Sequence, residues 1–253
     1  MSIKNLIYRE CVFALADIHL FGGEKGGVGK SFVCRTAVDY HLDNEINCVP
    51  FDSDRTNPDV LKIYREKAGA RGAIFSESPR HADSANAIIT TAVDDDRRVL
   101  VNLPGNSLTP LRNWMDKSRF VDTVEDVGGK FYYWFVCSGG VDSLRMFGES
   151  VQAFDERVQY VFVKNFGMSE DWESFDRDQP LQMLIKQRQI AVLDFPAFIG
   201  NYHRNQVKNL GLSFLEASER EDFKSVGRQR AKSFLTEAFA HFDSLGVFDV
   251  ACK

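Results

Sequence analysis

Between Gly22 and Ser31 the chain reads Gly-Gly-Glu-Lys-Gly-Gly-Val-Gly-Lys-Ser, residue types suited to holding a polyphosphate. Glycines admit backbone conformations that turn successive N–H groups inward, so an anion meets several donors and the positive end of the following helix. Lys30 suits neutralisation of phosphate oxygens, and Ser31 suits ligation of Mg²⁺. The alternative is a plain glycine-rich turn between a strand and a helix. Such a turn has no use for both Lys25 and Lys30.

The ordinary P-loop pattern places a glycine six positions before its lysine, and Glu24 stands there. What holds without mismatch is Lys25-Gly26-Gly27-x-Gly29-Lys30-Ser31. This string resembles the deviant Walker A box of the ParA/MinD family of ATPases. The resemblance implies an α/β fold, a mostly parallel sheet with helices on both faces, and Mg²⁺-ATP as ligand. It implies nucleotide contacts from Gly26, Gly27, Val28, Gly29, Lys30, Ser31 and Phe32. Lys25 corresponds to the lysine that reaches across a dimer to the partner's phosphates, so an ATP-dependent homodimer is expected. Charge supplied only on assembly would stabilise the negative charge that spreads during transfer, as an arginine finger does.

In an open parallel sheet ligands gather beyond the carboxyl ends of the strands, which directs attention to three further places and a weaker fourth. Asp52-Ser53-Asp54-Arg55-Thr56-Asn57 follows one apolar run and resembles the family's first switch. On that resemblance Asp52 supports the Mg²⁺ hydration shell and Asp54 positions or activates the attacking water. A solvated Asx-capped turn is the other reading. Asn102-Leu103-Pro104-Gly105-Asn106-Ser107 resembles the second switch, with Asn102 where the family's Walker B aspartate usually stands. An amide keeps an acceptor for metal-bound water but removes a negative charge, so slow turnover is expected. A strand-ending Pro-Gly turn is the alternative. Asn165 resembles the family's base-reading asparagine, a strand-ending asparagine held there for conformational reasons being the alternative, and Pro196 lies in the segment that the resemblance implies wraps the adenine. Phe195 and Phe198 fit either that segment or the core.

These residues need elements to position them. Short apolar runs alternating with amphipathic stretches predict strands near Ala16–Phe21, Ile46–Asp52, Arg71–Phe75, Arg98–Leu103, Phe131–Cys137, Gln159–Lys164 and Ile190–Phe195. Helices are predicted near Lys30–Leu42, Asn57–Lys67, Ser84–Val93, Leu108–Val127, Asp142–Phe154, Pro180–Arg188 and Asn201–Leu210. In the first, Phe32, Val33, Ala37, Val38 and Tyr40 fall near one face. A last amphipathic helix, Arg220–Leu245, carries Phe223, Val226, Ala231, Phe234, Leu235, Ala238, Phe239 and Phe242 as an apolar stripe. Glu237, Asp243 and the lack of a dense basic face favour docking on the domain over membrane binding. Residues 1–15 precede the first core strand as an extension, and the whole of 1–253 is expected to be one domain.

The 253 residues are 44% hydrophobic with a formal charge of −5, so nucleic acid, if bound, requires a local patch. Residues 204–232 offer one, with seven basic side chains against four acidic. Non-specific DNA contact and an ordinary solvated helix face are both compatible with it. Five scattered cysteines without a Cys-x-x-Cys pair predict reduced thiols and a cytoplasmic protein. The opening segment does not read as a signal peptide, and no run suits a spanning helix.

Relatives by resemblance include partition and positioning ATPases, small-molecule synthetases and nitrogenase iron-protein types. The last needs cluster cysteines, whereas Cys137 stands alone; a synthetase needs a second substrate site, and none is recognisable. Leu103 to Ser107 is similar to ParA-like accessory proteins of plasmid mobilisation and conjugation. The expectation is an ATP-dependent switch in partition or transfer of plasmid DNA, with a protein partner from a neighbouring gene. A nucleotide-binding scaffold with little hydrolysis is the contrasting class, and a MinD-like positioning ATPase a further one.

Overall fold

Period-two alternation along the strands sets the architecture. In the computed structural model, which describes residues 16–23, 25–76, 81, 83–154 and 156–249, Ile18 and Leu20 enter one apolar cluster while Phe21 enters another. The same split recurs at Val99 and Val101 against Leu100, and at Tyr133 and Phe135 against Trp134 and Val136. Successive side chains point to opposite faces, so a sheet buried on both sides needs apolar residues in both phases.

The elements run β1 (Ile18–Gly22), α1 (Lys30–Asp43), β2 (Cys48–Asp52), α2 (Asp59–Ala68), β3 (Arg71–Gly72), α3 (Asn86–Ile89), β4 (Arg98–Asn102), α4 (Leu108–Lys117), α5 (Phe120–Glu125), β5 (Phe131–Cys137) and α6 (Val141–Ala153). There follow β6 (Gln159–Asn165), α7 (Glu173–Arg177), α8 (Gln179–Gln187), β7 (Ala191–Phe195), α9 (Asn201–Asn209), α10 (Phe214–Glu219) and α11 (Lys224–Leu245). All strand pairs are parallel, in the order β3-β2-β4-β1-β5-β6-β7. Helices α3 to α8 pack on one face, and α1, α2 and α9 to α11 on the other. This is the α/β, three-layer arrangement the sequence predicts.

Several elements differ from expectation for identifiable reasons. The span 108–127 is two helices, because Arg119 sits at φ 53° and caps α5 in the left-handed region. Residues 84–93 form only a short α-helix that loosens into a π-helical turn, Thr90–Asp94. The edge strand β3 is two exposed residues, although the Ala73 N–H continues the pairing to the Asp52 carbonyl. Helix α1 has no single apolar face. Its Val33 to His41 are all buried because strands lie on one side and α2, α10 and α11 on others. The final helix begins at Lys224, after a short 3₁₀ turn, and Val226 is exposed rather than part of its stripe. Phe234 and Phe242 of that helix pack on Phe195 of β7, so its apolar side is covered. Helices α7 and α10 were not expected. Residues 1–15 lie outside the described residues, and among the latter no helix is long and apolar enough to cross a membrane.

Candidate functional site

The glycine-lysine loop leaves the end of β1 and feeds α1. Gly29 caps α1 at φ 99°, and its carbonyl accepts the N–H groups of Phe32 and Val33 at 3.0 Å each. A β-carbon at Gly29 would lie 2.3 Å from Asn165 Nδ2, so this position excludes any larger residue on two grounds. Asn165, at the end of β6, binds the loop directly. Its Nδ2 donates to the Val28 carbonyl at 2.8 Å, and its Oδ1 accepts from the Gly167 N–H at 3.0 Å. One N–H and one lone pair of this amide stay available to a ligand. Lys30 is buried, and its ammonium donates to the Lys25 carbonyl at 2.7 Å.

Parallel pairing of β2 with β4 sets Asp52 beside Asn102. Asn102 Nδ2 donates to Asp52 Oδ1 at 2.9 Å, and that oxygen also accepts the Asp54 N–H at 3.1 Å. Asp52 Oδ2 takes the Leu61 N–H at 3.1 Å, which anchors the first turn of α2. Burial pushes the Asp52 carboxyl above its usual range, and the Asn102 amide and the Leu61 and Asp54 N–H groups oppose that shift. Asn102 Oδ1 is buried with no partner among the described residues. A buried amide oxygen without a donor is costly, so this atom suits a water or ion beside it. Asp54 Oδ1 accepts the N–H groups of Thr56 and Asn57, which is the Asx turn foreseen as its alternative role.

A cleft of about 510 Å³ opens in front of the loop, well within the usual range for small ligands of about 300–1,000 Å³. Of the residues singled out in the sequence, Gly26, Gly27, Gly29, Lys30, Ser31, Phe32, Asp54, Asn165, Pro196 and the largely buried Phe198 line it. Val28 is buried beneath the loop, while Asp52 and Asn102 stand behind the lining. Lys25 lies outside it, with its ammonium 3.2 Å from Asp142 Oδ2 at the start of α6, and both side chains are largely exposed. Sequence reasoning missed Arg35 and Phe214, which line the far wall, and assigned Arg204 and Lys208 only to a surface patch although they face this same cleft. Among the described residues no group of three or more His, Cys, Asp or Glu could hold a metal alone. Mg²⁺, which favours a few protein oxygens together with phosphates and water, fits the donors Ser31, Asp52 and Asn102 better than a transition metal does.

No protein-family profile matches the chain. Along nearly its whole length it is similar to protein TraL of Escherichia coli, 23% identical over 241 residues that cover 92% of this chain and all of TraL. Protein MobD of Acidithiobacillus ferrooxidans is 49% identical over 50 residues, 20% of this chain; that match spans only 22% of MobD. Among solved structures, the cell division ATPase MinD of Pyrococcus furiosus superposes with a TM-score of 0.50 at 16% identity, over 91% of this chain and 99% of MinD. The chain has a MinD-like fold. The resemblance of the lysine-glycine loop and the likeness in overall fold thus point the same way. In this fold the loop, the Asp52–Asn102 pair and Asn165 all sit at the carboxyl ends of the strands, the expected address of a ligand.

Proposed function

We propose that the chain is a ParA/MinD-like, Mg²⁺-ATP-dependent dimerisation switch with slow ATP hydrolysis, acting in the partition, mobilisation or conjugal transfer of plasmid DNA. One observation carries the reading: a two-lysine glycine loop, clamped by Asn165, borders a cleft of ligand size on a MinD-like sheet. In this account the N–H groups of Gly26, Gly27, Val28 and Gly29 surround the phosphates, with Phe32 following at the start of α1. Lys30 neutralises the terminal oxygens. Ser31, Asp52 and Asn102 hold Mg²⁺ directly or through its water, and the ion supplies positive charge against the charge that develops on the phosphates. Asp54 orients the attacking water, Asn165 and Pro196 meet the base, and Lys25 serves the partner protomer's nucleotide.

Full-length similarity to TraL, and local similarity to MobD, agree with the resemblance of the Leu103–Ser107 loop to mobilisation accessory proteins. A cytoplasmic location, a protein partner from a neighbouring gene and non-specific DNA contact through residues 204–232 belong to the same proposal. On α11, Lys224, Arg228 and Lys232 recur every fourth residue and so share a face, which supports the DNA element of the reading. Asn102 favours one second reading, a scaffold that binds nucleotide and scarcely cleaves it. ATPase assays with and without DNA, run beside sizing in ATP and ADP, separate the two. DNA-stimulated turnover with an ATP-dependent dimer supports the switch; binding without turnover or dimer change supports the scaffold.

A further inference from the structure

The far wall of the cleft carries more positive charge than a nucleoside triphosphate would use there. Arg35 is the fifth residue after Lys30, about 7.5 Å deeper along α1. Its side chain is only 4% exposed, its Nη2 donates to the Leu212 carbonyl at 2.7 Å, and its guanidinium lies 4.6 Å over the Phe214 ring. Its Nε is buried without a partner among the described residues. Arg204 and Lys208, one turn apart on α9, line the same cleft, and neither forms an ion pair among the described residues. The two carboxylates on the lining hydrogen-bond within their own segment: Asp54 Oδ1 caps the Thr56–Asn57 turn, and Asp59 accepts from Asn57 Nδ2 at 2.8 Å. Helix α9 follows the segment that bears Pro196 and Phe198, the one proposed to meet the base, which on that reading puts these cations on the sugar-and-base side of the nucleotide.

We infer that Arg35, Arg204 and Lys208 form an anion subsite on the sugar side of the cleft, and that the cleft takes an adenine nucleotide bearing a further phosphate monoester on its ribose. This rests on the proposed nucleotide site and adds a ligand class to it. Guanidinium groups suit phosphate because they present several donors in a fixed fork, and a buried, ring-stacked Arg35 is already held in place at little entropic cost. Lys208 adds a mobile point charge at the mouth.

Calorimetric titration of the full chain with Mg²⁺-ADP and with Mg²⁺-ADP carrying a 3′-phosphate tests it, with the 2′-phosphate isomer as a further probe. At least one ribose-phosphorylated form is expected to bind about tenfold more tightly than ADP, a difference of about 1.4 kcal/mol. The double variant Arg204→Gln, Lys208→Gln is expected to lose that preference while keeping its ADP affinity. These side chains are partly or fully exposed, so the fold tolerates the change. Equal binding of ADP and both phosphorylated forms by the unmodified chain overturns the subsite and leaves the nucleotide site standing. Failure of all three to bind overturns the nucleotide site itself. Capture of a single-stranded oligonucleotide through Arg204 and Lys208, without discrimination among the three nucleotides, also overturns the subsite and assigns these residues to nucleic acid.

Discussion

On the proposed reading, the Asn102 side chain decides how the site handles a metal. An aspartate there would stand against Asp52 Oδ1, now 2.9 Å from the Asn102 amide nitrogen, and two carboxylates at that distance favour a divalent cation between or beside them. Asn102→Asp is therefore expected to raise both Mg²⁺ affinity and ATP turnover, the latter by about tenfold, or about 1.4 kcal/mol of barrier. Steady-state phosphate release across a Mg²⁺ series checks this, and an unchanged rate and Mg²⁺ dependence would contradict the account of slow hydrolysis. Gly29 offers the converse case. Gly29→Ala places a β-carbon against Asn165 Nδ2 at a φ of 99°, so it should weaken nucleotide binding by about tenfold or more. Fluorescent-nucleotide titration reads the loss, and wild-type affinity in that variant would mean the loop is not clamped as described. The loop itself was legible in the sequence because its spacing is unusual. The engagement of Asn165 with the Val28 carbonyl was not, because a contact between residues 137 positions apart leaves no local signal.

At the scale of elements, α10 explains how the far wall of the cleft is built. Asp39 of α1 accepts the Phe214 N–H at 2.7 Å and the Tyr64 hydroxyl at 2.9 Å, while Arg35 holds the Leu212 carbonyl. Burial pushes the Asp39 carboxyl up to about 7 despite those hydrogen bonds. An unfolded chain loses this proton near its ordinary value of about 3.9. Between about pH 4 and about pH 7 the folded chain thus keeps a proton that the unfolded chain has released, and stability from this group falls as pH rises through that window. Asp39→Asn should flatten that slope and retain the fold, since an amide oxygen can still accept from Phe214 and the Tyr64 hydroxyl already reaches the Arg35 carbonyl at 3.0 Å. Urea midpoints at pH 5 and pH 7 measure it; an unaltered slope in the variant would assign the dependence to another group. Helix α10 did carry a signal, the capping box of Ser213 and Glu216, which its short length left unread. The strands were easier, because runs such as Phe131–Cys137 are uniformly apolar or aromatic and bounded by turn residues. The break at Arg119 was hidden, since a left-handed arginine has no sequence signature comparable to glycine.

For the whole molecule the open question is assembly. Lys25 rests against Asp142 in a pair whose side chains are 47% and 70% exposed. Such pairs contribute about 0–1 kcal/mol, so the contact is a weak tether that a partner's phosphates could replace at small cost. Asp142→Asn should accordingly change thermal stability little, by less than about 0.5 kcal/mol. The fold and its ligand-facing edge could be read from the sequence because alternation and strand-end polarity are local. The division of the basic segment was not, because only packing shows that Arg204 and Lys208 turn to the cleft while Arg228 and Lys232 lie together away from it, beside Ser218 and Glu219. The most direct test of the central claim is molar mass by light scattering in Mg²⁺-ATP and in Mg²⁺-ADP, for the unmodified chain and for Lys25→Ala. The account predicts a dimer in ATP alone, and a monomer in both nucleotides for the variant despite retained ATP binding. A monomer in ATP for the unmodified chain, or an ATP-dependent dimer that survives loss of Lys25, would contradict it.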